Sequence, residues 1–150
     1  MDGSSSVTFG GAATRAKAVV FQDALTTANA GNTPDASLAY VTSHATASKW
    51  MLAPEVTGGP QFLWSGNEWA GTVAGLPARA TANVGTGNQV ICGDWSRLVV
   101  GFWNSEAIQV LVDPYTRKES ALVDVYATAF ADVGVANPLN FTVSSDSGAQ

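Results

Sequence analysis

The chain has 150 residues, 46% hydrophobic and 13% charged, and a formal net charge of −5. That is long enough for a domain with a core and too apolar for a disordered tail. The acidic balance, with no Lys/Arg cluster beyond Arg117-Lys118, excludes the basic patch of a nucleic-acid reader; one cysteine allows neither an internal disulfide nor a cysteine-based metal site, and no run reaches the roughly 18 apolar residues of a membrane span.

Residues 1–12 are rich in Ser and Gly and lack the basic-then-apolar order of a signal peptide. They read as a flexible lead-in. From Thr14 the pattern is helical, with Ala18, Phe21, Leu25 and Ala28 at three- and four-residue steps. Gly31 is a natural terminator, and Pro34 prevents resumption. SLAYVTS (37–43) reads as a buried strand, after which Ser43 caps a second helix, HATASKWML, that must stop before Pro54. Residues 57–64 are loop-like and lead into a short extended piece. Residues 71–84 are extended, with a turn or kink at Gly75 and Pro77, and GTGN (85–88) is a turn.

QVIC (89–92) has the short, apolar, β-branched character of a central strand. RLVVGFW and AIQVLVDP follow as extended segments. Over 121–135, Leu122, Asp124, Tyr126, Thr128 and Phe130 alternate with Val123, Val125, Ala127 and Ala129, which predicts one long, two-sided strand. NPLNFTVS is a final strand, and 144–150 is a flexible tail. The expectation is one α+β domain over 13–143, with helices at the front and strands dominating the back.

No motif in the chain carries clear chemistry. Cys92, His44 and Asp94 could be arranged as nucleophile, base and acid, but Asp94 would raise a thiol pKa. A cysteine ending a strand has the plainer reading of a small buried hydrophobe. One His, one Cys and scattered carboxylates offer no zinc spacing and no calcium loop, so no metal and no cofactor is expected. GTGNQV and GGAATRAK miss the defining residues of phosphate cradles. Glu55, Glu68 and Asp94 could supply a glycosidase pair, but nothing fixes their separation. The five tryptophans between 50 and 103 fit either a sugar platform or core and interface anchors. Arg79, Arg97 and Arg117 read as surface ion-pair partners.

The segments GTVAGLPARATANV, QVICGDWSRLVVGFWNSEAIQVLVDPYT and VDVYATAFADVGVANPLNF resemble, in order and spacing, the C-terminal part of tailed-phage major capsid proteins of the Hong Kong 97-type fold. The carrying positions are Gly75-Leu76-Pro77, Gly93-Asp94-Trp95, Asp113-Pro114-Tyr115, and Asp132 through Val135 to Pro138 and Phe141. LAYVTSHATASKWM resembles the family's strand leading to a capped helix, though Val41-Thr42-Ser43 departs from its Met-Asn-Pro-type start. The resemblance implies an axial domain, a central mixed sheet flanked by two helices, together with the closing long strands of the peripheral domain. It implies structural turns at Gly75, Pro77, Gly93, Asp94, Trp95, Asp113, Pro114 and Pro138. Gly93 would let the chain reverse, Asp94 would bond the backbone just after it, and Trp95 would cover the strand end or contact a neighbour. Gly75 and Pro77 would lie on an edge or bent strand.

Members of that family run about twice this length. Before this region they carry an arm, an extended hairpin loop and a spine helix, none of which is visible here, so the chain reads as a fragment. The Lys–Asn isopeptide cross-link of at least one member of that family finds no clear matching Asn near Lys118-Glu119-Ser120. The implied function is structural and not enzymatic: self-association with other copies into a phage or prophage shell. Pentamers and hexamers are implied for the full-length protein, and a monomer or small oligomer for the isolated piece. The implied location is the virion, with the host cytoplasm during assembly; no membrane and no specific nucleic acid is implied. The rival readings are a β-rich carbohydrate- or protein-binding module of a phage or surface protein, using Trp64 or Trp69, and a small Cys92–His44 hydrolase.

Overall fold

Helix α1, Arg15–Thr27, forms where Ala18, Phe21 and Leu25 fall on one face, and all three are buried. The computed structural model describes residues 4–28, 32, 37–85, 90–103 and 108–146. The terminator expected at Gly31 and Pro34, residues 86–88 of the expected turn, and the tail from 147 lie outside them. Helix α2, His44–Leu52, begins at Ser43, whose hydroxyl accepts from the Thr46 N–H at 3.2 Å. It ends before Pro54, which bridges to Phe62.

Short strands build one seven-stranded mixed sheet. They are β1 (Ser5–Ser6), β2 (Leu38–Thr42), β3 (Trp64–Gly66), β4 (Gly71–Val73), β5 (Leu76–Ala80), β6 (Val90–Asp94) and β11 (Phe141–Ser144), in the order β1-β11-β6-β2-β5-β4-β3. The β1–β11 and β2–β5 pairs are parallel and the others antiparallel. Strand alternation puts Tyr40, Thr42, Ala78, Ala80, Val90, Cys92 and Thr142 on one face, and all are buried. Over that face Phe9 joins the helices into one aromatic cluster. Its ring lies 5.2 Å from that of Phe21 on α1 and 5.5 Å from that of Trp50 on α2. Phe21 in turn meets Tyr40 edge-on at 6.3 Å, and the Tyr40 hydroxyl donates to the Ala18 carbonyl.

The lead-in is not loose where it is described. Ser5 and Ser6 pair with Thr142 and Val143, the Val7 N–H donates to Val143, and Phe9 and Ala13 are buried in the core. Phe9, with Val7 packed against the core, anchors the polar stretch, a signal that bulk composition hides. Pro77 also departs from expectation. Its strand is an inner one, but the β2 ladder begins only at Ala78, so Pro77 has a neighbour on the β4 side alone. No inner-ladder bond is asked of its missing N–H. Gly75, at φ +87, makes the turn between β4 and β5 together with Ala74.

The chain divides inside the expected single domain 13–143. One unit runs through Arg97 and resumes at Asn137; the other is Leu98–Ala136. In the second unit, β7 (Leu98–Phe102) pairs antiparallel with β10 (Ala131–Val135), and β8 (Gln109–Asp113) with β9 (Asp124–Thr128). The long strand expected over 121–135 is therefore two. Between the Phe102–Ala131 and Gln109–Thr128 pairs, six residues intervene on one strand and two on the other. That excess interrupts the ladder at 129–130 although the alternation of sequence runs through it.

Candidate assembly surface

The second unit is built of two ladders, each two strands wide, and cross-strand pairing assigns each side chain of a ladder to one of its faces. In the β7–β10 ladder one face carries Leu98, Val100 and Phe102 opposite Val135, Val133 and Ala131, and in the β8–β9 ladder one face carries Val110 and Val112 opposite Ala127 and Val125. Neither of these faces holds a polar side chain. The other face of each ladder is mixed. Val99 lies opposite Gly134, Gly101 opposite Asp132, Gln109 opposite Thr128, and Leu111 opposite Tyr126. The Trp103 N–H donates to Phe130, which extends the ladder by an aromatic pair.

Fifteen large hydrophobic side chains of this unit are each at least half exposed, among them Trp103 at 71%, Leu111 at 62% and Val110 at 60%. At about 100 Å² apiece they amount to roughly 1,500 Å² spread over both faces and the tip, far more than the scattered single apolar residues of an ordinary monomer surface. The tip is tied by Asp113. Its carboxylate accepts from the Tyr115 N–H at 2.8 Å, the Thr116 N–H at 3.2 Å and the Thr116 hydroxyl, with Pro114 inside the turn. The Thr116 hydroxyl and then the Tyr115 N–H hold its pKa below the usual carboxylate range.

In the first unit, Gly93 does not reverse the chain. It sits within β6, paired with Ala39 and Phe141, and its missing side chain makes room for the Phe141 ring. Asp94 ends the strand, and its Oδ1 accepts from the Ser37 N–H (2.9 Å), the Ser96 N–H (3.1 Å) and the Ser96 hydroxyl (2.7 Å). Burial pushes its pKa up, but those bonds and nearby Arg97 outweigh it and hold the carboxyl low. Trp95 opens a short 3-10 turn, donates its indole N–H to Ala39 and meets Phe141 edge-on at 5.5 Å. Pro138 starts another such turn, preceded by Asn137, whose side chain accepts from the Leu139 N–H.

The three residues weighed as a hydrolytic set have separate partners. Cys92 pairs in the sheet with Tyr40 and Thr142, and Asp94 holds Ser37 and Ser96. His44 Nδ1 lies 2.7 Å from Glu68, whose other oxygen accepts from Ser48. The bond to His44, then that to Ser48, lowers the Glu68 pKa. Burial pushes the Cys92 thiol up to about 12. We therefore expect iodoacetamide at neutral pH to label folded Cys92 on the order of a thousandfold more slowly than the denatured chain, because the thiolate is so scarce. Equal rates would show that the thiol is open to solvent.

Trp64, proposed as an exposed sugar contact, is 3% exposed and donates its N–H to Asn67, whereas Trp69 is open. Among the described residues, no three His, Cys, Asp or Glu side chains converge as metal ligands, and no helix is long and apolar enough to cross a membrane. A groove of about 380 Å³ beside Phe62 is walled by Arg15 and Glu55, which pair with each other.

A model of the phage capsid family matches residues 3–145. The chain belongs to that family. Among solved structures, it is similar to the capsid of an empty GTA particle at a TM-score of 0.63 and 19% identity, over 94% of this chain and 49% of that one. It is also similar to a structure from Mycobacterium phage Che8, at a TM-score of 0.59 and 15% identity, over 95% of this chain and 53% of that one. The chain thus spans about half the length of the capsid chains it matches. The fold is the Hong Kong 97-type α+β fold that the sequence segments resemble. A comparison with curated proteins finds no match.

The exposed ribbon is what sequence reasoning missed. Its Val-rich runs have the composition of buried strands, and only the pairing pattern tells that no third strand lies beside them among the described residues.

Proposed function

We propose that this chain acts as a structural subunit of a phage-type capsid, working by self-association and not by catalysis. The observation that carries this reading is the Leu98–Ala136 unit, whose ladders are two strands wide, apolar on one face and mixed on the other, with large hydrophobic side chains exposed on both. A lone two-stranded hairpin is marginal in water, so such a surface calls for a protein partner. In a shell the partners are further copies, in contacts that repeat head to tail and close into the rings of pentamers and hexamers. The virion is then its location, after assembly in the host cytoplasm. The net charge of −5 disfavours a grip on packaged nucleic acid.

Sedimentation velocity over a wide concentration range tests this. A monomer or small oligomer is expected when dilute, giving way to larger species as concentration rises. A chain that stays monomeric up to its solubility limit removes the reading.

A further inference from the structure

The helices cover one face of the seven-stranded sheet, and the opposite face carries a row of its own. Ser6, Val143, Ile91, Val41 and Arg79 are cross-strand neighbours in turn, across β1, β11, β6, β2 and β5. Strand alternation points them away from Tyr40, Ala78, Cys92 and Thr142, the face that meets the helices. Val41, Ile91 and Val143 are half-buried, and none of the three belongs to the core or packs against it. A sheet face with an aliphatic centre is stable when another layer lies over it. On the far side of the same unit, α1 turns Ala16, Val20, Asp23 and Thr27 outward, opposite its buried Ala18, Phe21 and Leu25. All four are exposed, Val20 at 46%.

Charge makes these two faces complementary. Among the described residues of this unit, Arg79 and Asp23 are the charged side chains with neither a hydrogen bond nor an ion pair, and the others have partners. One is a cation at the end of the aliphatic row; the other is an anion on the outward face of α1. Their offsets match as well. Arg79 stands one strand spacing, about 4.8 Å, from Val41, and Asp23 lies three residues along the helix from Val20, about 5–6 Å away. A helix that sets Val20 over Val41 and Ile91 can thus bring Asp23 to Arg79. We infer that α1 of a second copy of this chain docks on this sheet face, Val20 against Val41 and Ile91, with Asp23 paired to Arg79. The contact joins two different surfaces, so it is of the head-to-tail type, and each copy keeps its own α1 for a further neighbour. The inference rests on the self-association reading and assigns one of its contacts.

The test is sedimentation velocity of the whole chain with its charges reversed. Arg79→Glu and Asp23→Lys each set like charges against one another and weaken association by about tenfold or more. Both side chains are exposed and without partners, so neither reversal costs the fold an ion pair. The double variant regains association, and so does an equimolar mixture of the two single variants, where opposite charges meet whenever the two kinds of chain alternate. Arg79→Lys keeps the charge and supplies an amine. A zero-length carbodiimide then joins position 79 of one copy to Asp23 of another, and peptide mapping of the associated species finds the link. Association unmoved by either reversal, reversals that no compensating charge rescues, or an associated species without the 79-to-23 link overturns the inference and leaves the capsid reading standing. A parent chain that never associates overturns both.

Discussion

Replacing Gly93 by alanine is expected to destabilise the fold by about 2–3 kcal/mol, the upper part of the usual cost of overpacking a core. A Cβ built there would lie 2.3 Å from Phe141 Cδ1 and 2.8 Å from the Asn140 carbonyl oxygen. The ring cannot simply turn away, because Phe141 is fully buried and stacked edge-on against Trp95. The carbonyl is backbone, so relieving the second contact means moving β11 away from β6. The lower conformational entropy of an unfolded alanine chain offsets only a few tenths of a kcal/mol to about 1 kcal/mol. Gly101→Ala and Gly134→Ala are the internal controls: both positions are open and neither has a positive φ, so both changes should be neutral or slightly stabilising. Denaturant midpoints of the three variants decide it. Pairing Gly93→Ala with Phe141→Ala should lose less than the sum of the single changes, since the second change removes the clash. A Gly93→Ala midpoint equal to the parent's would mean that the β6–β11 contact is looser than described.

The same residue shows where the sequence could and could not be read. Helix α2 was legible because a capping Ser43 and a stopping Pro54 bracket it with local chemistry. The buried face of α1 followed from the spacing of Ala18, Phe21 and Leu25 alone. The three backbone-capping bonds of Asp94 and Asp113 are also local, within two or three residues, and the residue order announces them. Gly93 was misread because a glycine before an aspartate looks like a turn, while its real constraint is a ring that arrives from Phe141, 48 residues later in the numbering. Phe9 was missed for a similar reason. One aromatic in a Ser/Gly stretch has no period, yet it touches both helices. The ribbon lay beyond sequence patterning because alternation reports that a strand has two faces, not what covers each. Its mixed faces contain Asp124, Thr128 and Asp132 among apolar and aromatic residues, a pattern compatible with solvent or with a neighbour. Only the pairing assigns each of these residues to a face of its ladder.

Asp94→Ala is expected to cost about 3 kcal/mol, the usual penalty for breaking a buried charged network from one side. The carboxylate is fully buried at the end of β6, and its loss leaves the Ser37 N–H, the Ser96 N–H and the Ser96 hydroxyl without their acceptor. The bond to Ser37 ties the entry of β2 to the end of β6, and the Trp95 N–H returns to the Ser37 carbonyl, so the two strands are stapled from both sides. Asp94→Asn keeps an acceptor oxygen for those donors and gives up the attraction to Arg97 at 3.7 Å, so it should lose distinctly less than alanine. The acid limb separates the charge from the hydrogen bonds. Asp94 is held below its unfolded pKa of about 3.9, so its contribution is fully present above that value and is lost as pH falls through it toward the folded pKa. Below that window the aspartate and asparagine chains should converge in stability. Asp113 and Glu68 are depressed in the same sense, so some acid sensitivity must persist in Asp94→Asn. Urea titrations of the parent and both variants at neutral pH and below pH 4 read this directly. A parent–asparagine difference that does not shrink with acid would show that the Asp94 charge adds nothing to the staple, leaving the hydrogen-bonding oxygen as its whole contribution.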